Sequence, residues 1–194
     1  MKRVSIYCTT ALLAIAALSV ADQPVRSEGP QFNAKSELLF PANYREWVFL
    51  SSGLGMNYGP ITAQSRDDHP SFDNVFVSPP AYRAFLESGR WPDKTMFVLE
   101  VRSSQSKGSI NNGGHYQGDV EGIEAEVKDE SRFTGKWAFF GFGKGAATGK
   151  QLPATAGCYS CHGQHGAVDN TFVQFYPTLA TVAKEKGTFK EAGH

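Results

Sequence analysis

The pentapeptide Cys158-Tyr159-Ser160-Cys161-His162 constrains this chain more than any other feature. Residues three apart share one face of a helical turn. Two thiols at that spacing can reach the two vinyl groups along one porphyrin edge and close as thioethers. The imidazole that follows can swing beneath the ring and take the iron as its proximal ligand. The motif therefore predicts one covalent c-type haem, attached through Cys158 and Cys161 and ligated by His162. Other chemistries fit less well. A zinc centre needs about four ligands, and the nearest addition is His165, at cramped spacing and with no second CxxC. A thioredoxin-like dithiol wants a strand-turn-helix in a βαβ setting. A structural disulfide here would close a very short loop and constrain little of the unfolded chain.

Haem of this type is attached outside the bacterial cytoplasm, and the start of the chain agrees. Lys2 and Arg3 precede an apolar or small-residue run over 4–20, followed by Ser19-Val20-Ala21 and the polar Asp22. This reads as a cleaved signal peptide over 1–21, because the run is short for a bilayer-spanning helix and holds Ser5, Thr9, Thr10 and Ser19. Cys8 falls inside it, leaving two of the three cysteines in the mature protein. The chain carries 19 basic and 19 acidic residues. Loss of Lys2 and Arg3 leaves 17 against 19, a net charge of −2. That balance gives no basic face for nucleic acid, and no later segment is apolar enough to span a membrane. The expected location is the periplasm.

Residues 22–35 read as a flexible leader and 36–194 as a single domain. Ser36 can cap a short turn or helix over 37–40 that Pro41 ends. Strands are expected over 44–52, 72–78, 95–102 and 136–142. Pro79-Pro80 opens a helix over 81–88, with Tyr82, Phe85 and Leu86 on one face and Gly89 as its stop. Residues 53–70, 103–114 and 141–153 read as loops. Ile123, Ala125 and Val127 alternate with Glu124 and Glu126, as in a strand with one wet face. Asp169 or Asn170 can cap a helix carrying Phe172, Phe175 and Tyr176, kinked or restarted at Pro177 and ended by Gly187. Strands followed by helices imply an α+β domain with a mainly antiparallel sheet. For the sixth iron position the side chains to weigh are Met56, Met96, His69, His115 and His165.

Three stretches resemble the cytochrome P460 family: Pro41-Ala42-Asn43-Tyr44-Arg45-Glu46-Trp47, Lys136-Trp137-Ala138-Phe139-Phe140, and 152–179 with the haem motif and Phe175-Tyr176-Pro177. The resemblance implies a homodimer, a mainly antiparallel β fold and His162 as proximal ligand. One branch of the family oxidises hydroxylamine with a haem cross-linked to lysine. The cytochrome c′-β branch lacks the cross-link and binds diatomic gases. By this resemblance Leu99, ahead of Glu100, stands where the lysine is expected, and Lys94 is not equivalent. Thr95, Phe97, Leu99 and Val101 share a strand face, so Phe97 and Leu99 are the distal-pocket candidates. Asp73 and Glu124 are candidate proton acceptors for hydroxylamine chemistry. The expectation is a cytochrome that binds or converts nitric oxide or hydroxylamine at an open distal site, with a soluble redox partner. The alternative is an electron-transfer cytochrome with Met56 or Met96 as sixth ligand.

Overall fold

The computed structural model describes residues 29–58 and 69–191. The signal-peptide segment and the first part of the leader lie outside the described residues. Seven strands form one antiparallel sheet: β1 (Leu38–Leu39), β2 (Val48–Leu54), β3 (Phe72–Val77), β4 (Met96–Gln105), β5 (Tyr116–Lys128), β6 (Trp137–Phe142) and β7 (Thr148–Gln151). Their spatial order, β1-β7-β6-β5-β4-β3-β2, is a meander from β2 to β7 with β1 added beyond β7. Among the described residues three helices accompany it: α1 (Pro79–Ser88), α2 (Gly157–His165) and α3 (Pro177–Glu185). The chain is an α+β domain with a mainly antiparallel sheet.

Alternation along the strands sends side chains to two different cores. On one face Val77, Phe97 and Trp137 pack with Ala81 and Phe85 of α1 and with Tyr176, Leu179 and Ala183 at α3. On the other, Met96, Val98, Ala125, Val127, Ala138 and Phe140 pack with Leu38, Tyr44 and Trp47. Aromatic rings bind the first core: Phe85 lies 4.2 Å from Trp91, and Trp91 lies 4.7 Å edge-on from Phe97. α1 stops at Gly89, whose left-handed φ of 68° closes the helix. A side chain there would also strike Lys186, whose Cβ would be 2.7 Å away.

Several elements differ from the sequence expectation. Residues 37–40 do not form a helix. Asn33, not Ser36, organises the turn by accepting the Lys35 and Glu37 N–H groups, and Leu38–Leu39 pairs with β7. The end of the leader is packed rather than loose, since Phe32 bridges to Leu38 and its ring meets Phe133 and Phe140. β7 lies inside the expected loop 141–153, and β4 runs on to Gln105. On α1 Phe85 is buried as expected and Tyr82 packs against the same core, but Leu86 is exposed and Ala81 is buried in addition. Asp169 and Asn170 do not cap a helix: both take left-handed φ, 47° and 64°. A 3-10 turn at Val173–Phe175 precedes α3, which Pro177 begins.

Glu100 is 2% exposed on the second face. It accepts from the Tyr44 hydroxyl, from Arg102 Nε at 2.5 Å and from Arg45 at 2.5 Å. Burial opposes its ionisation, but the Arg102, Tyr44 and Asn74 donors prevail and hold its pKa below the usual 4.5. The stability it contributes is therefore complete above that value and is lost as pH falls through the depressed folded-state pKa. Glu100→Gln is expected to cost about 3 kcal/mol at neutral pH, with the cost shrinking in acid. Urea unfolding as a function of pH measures this.

Candidate haem site

α2 presents the attachment motif to the first face of the sheet. It follows β7 after residues 152–156, and Tyr159, inside the motif, anchors it. The Tyr159 ring stands edge-on to Phe139 at 4.8 Å, and its hydroxyl donates to the Leu152 carbonyl at 3.2 Å. Cys158 and Cys161 are both free and half-buried, and burial raises the Cys158 thiol pKa.

The His162 ring is held on several sides. Phe139 and Phe172 flank it, with centroids at 4.6 and 4.3 Å. Its Nδ1 lies 2.9 Å from the Asn170 carbonyl. A carbonyl only accepts, so Nδ1 carries the proton and Nε2 keeps the lone pair that a metal requires. The Glu126 Oε1 is 3.3 Å from the same nitrogen. It is nevertheless a buried oxygen without a hydrogen bond, because the N–H is directed to Asn170. Burial opposes protonation of His162, but the Glu126 carboxylate outweighs it and the pKa rises above 6.5. Burial raises the Glu126 pKa, against the pull of His162.

The turn that supplies the Asn170 carbonyl depends on Gly166. A Cβ at Gly166 would stand 2.6 Å from both the Asn170 carbonyl carbon and the His162 carbonyl oxygen. Trp91 fixes the other side of the turn, giving its backbone N–H to Asp169 at 3.2 Å and its indole N–H to Thr171 at 2.8 Å.

Cys158, Cys161 and His162 open on one cavity of about 470 Å³. Phe97 and Leu99 line it, as do both candidate carboxylates, Asp73 and Glu124. Glu126 lines it too, so the face expected to be wet is a cavity wall. Burial raises the Asp73 pKa, with Tyr58 pulling the other way. Met56 is also in the wall, whereas Met96 belongs to the core on the opposite face, which removes Met96 as an iron ligand. His69, His115 and His165 do not line the cavity. Lys94 is elsewhere, paired with Asp129, and none of the described lining residues is a lysine. Glu126 and Gly166 were missed by sequence reasoning. The Glu124–Glu126 alternation was a signal for the first only after the strand's outer face was known to be covered.

The donor set and cavity fit a c-type haem. Two unpaired thiols share a mostly apolar slot with an imidazole whose second nitrogen is already engaged. They do not fit zinc: among the described residues, no three His, Cys, Asp or Glu side chains form a metal-binding group. No described helix is long and apolar enough to cross a membrane. The family model described as Cytochrome P460 matches residues 41–173. No curated protein matches the chain.

Gly166→Ala is expected to cost about 1–3 kcal/mol through overpacking and to move the Asn170 carbonyl off His162. Asn170→Gly keeps that carbonyl and relieves the left-handed residue, so it should stay within about 1 kcal/mol of the parent. Urea unfolding tests both. The iron–histidine stretching frequency of the haem-loaded variants should shift for Gly166→Ala and not for Asn170→Gly.

Proposed function

Because this chain belongs to the cytochrome P460 family, and so is a haem c cytochrome of that type, we propose that it binds or converts nitric oxide or hydroxylamine at an open distal haem site after export to the periplasm. The observation that carries this reading is a single cavity in which the attachment triad meets Phe97, Leu99 and three carboxylates. Cys158 and Cys161 would hold the haem, and His162 would ligate it through Nε2, kept in that tautomer by Asn170. The haem, when bound, supplies an open coordination position and a sink for electrons.

The remaining residues set what can happen beside it. Phe97 and Leu99 exclude water and favour small neutral ligands. Leu99 cannot form a lysine-type cross-link, which supports gas binding over the cross-linked branch's chemistry. Oxidation of hydroxylamine releases protons that need acceptors within reach. Asp73 and Glu124 are the candidate acceptors, and burial raises the Asp73 pKa toward that of a useful base, whereas Glu126 stands behind the His162 imidazole. The proposed protein works as a homodimer with a soluble redox partner.

A second reading rests on Met56. Its presence in the cavity wall supports an electron-transfer cytochrome with methionine as the sixth ligand.

Visible spectroscopy separates the two. A high-spin, five-coordinate spectrum that responds to nitric oxide is expected. A low-spin spectrum with a methionine-to-iron band that disappears in Met56→Leu would establish the second reading instead. Hydroxylamine oxidation with an artificial electron acceptor tests catalysis. If it occurs, replacing the working proton acceptor, by Asp73→Asn or Glu124→Gln, should lower kcat by about 10²–10⁴. No turnover would restrict the function to binding.

A further inference from the structure

We propose that a second cavity, of about 380 Å³, binds a small molecule through an oxyanion group, a carboxylate or a phosphate. It shares no lining residue with the haem cavity, and the Asp169–Asn170 turn forms part of its wall. Residues from the end of α1, the end of β5, the start of β6 and the C-terminal tail complete it.

Four cationic side chains line this cavity: Arg90, Lys128, Lys136 and Lys190. Asp169 is the one carboxylate among its described lining residues, and Glu130 stands beside Lys128 and Lys136. Four positive charges against two negative leave +2 in a chain whose formal total is zero. Lys128 is the telling member, because its side chain is only 9% exposed. Its ammonium makes one short bond, to the Trp91 carbonyl at 2.7 Å. Glu130 and Asp169 are 3.4 and 3.7 Å from it. Arg90 is 3.8 Å from Asp169, and Lys136 is 3.5 Å from Glu130.

Charge-assisted N–H···O bonds close at about 2.7–2.9 Å, so neither Glu130 nor Asp169 makes one with these cations. The chain makes tight pairs elsewhere, as Arg102 does with Glu100 at 2.5 Å and Lys94 with Asp129. Lys128 thus has two carboxylates at ion-pair distance but no charge-assisted bond to either, and a buried ammonium so incompletely compensated is costly. An oxyanion seated among Lys128, Arg90 and Lys190 would supply the missing short bonds. The cavity exceeds what a bare oxyanion needs, and its size lies in the range of small-molecule sites, about 300–1,000 Å³. Trp137, 5% exposed, and Phe189 give it apolar surface. The ligand class is therefore a small organic acid or a phosphate ester, held by its charged end and lying against the rings.

Isothermal titration of the haem-loaded protein with inorganic phosphate and with benzoate, at constant ionic strength set by sodium chloride, tests this. Saturable binding at one site is expected. Arg90→Ala and Lys190→Ala should each weaken it about tenfold, and Lys107→Ala, on a distant loop, should not. Both replaced side chains are exposed, so neither variant threatens the fold as a change at Lys128 would. Binding of both probes in competition supports a general oxyanion site. Benzoate alone narrows it to organic carboxylates, and phosphate alone to phosphoryl groups. The proposal is overturned if neither probe gives saturable heat, or if binding is unchanged in both cavity variants.

Discussion

The pleat of β4 and β5 sorts each side chain at the centre of the sheet to one of two covered faces, and only one face carries the attachment helix. Leu99 and Glu100 are neighbours in sequence with opposite fates. Leu99 lines the haem cavity, while Glu100 is enclosed by Tyr44, Arg45 and Arg102. A one-residue slip would exchange them, placing a paired carboxylate in the slot and a leucine among arginines. The Glu100 cluster therefore secures the register on which the cavity depends, although it contacts nothing in that cavity.

The chain treats its buried charges in two ways. Glu100 and Asp129 have cationic partners in contact and depressed pKa values. Among the described residues Asp73 has no such cation and Glu126 has only the His162 imidazole, at 3.3 Å, and burial raises both. Structural carboxylates are neutralised where they hold the fold together. Those left incompletely neutralised face the cavity, where perturbed groups are most useful.

Much of this was legible in advance. The haem motif and the long strands could be read because each depends on local spacing or strand-like composition, and the Leu99 position because the family resemblance points to it. β1 and β7 could not, because two and four residues carry no usable period, and Thr148-Gly149-Lys150-Gln151 has little strand character of its own. Tertiary pairing alone makes these segments strands. The Glu124–Glu126 stripe was read as solvated because charge normally seeks water, and only the position of α2 reverses that. Gly166 gave no signal: its role rests on the approach of a turn four residues later.

None of the residues of α2 is fully buried. Tyr159 and His162 account for its ring contacts with the rest of the fold, so little apolar area is removed from water by its docking alone. A helix fastened so sparingly opens at lower free energy than the sheet beneath it. The two thiols, Cys158 and Cys161, therefore sit on a segment that exchanges its amide hydrogens more readily than the strands do. A haem held through both thiols, as proposed, would tie that segment to the sheet and slow this exchange.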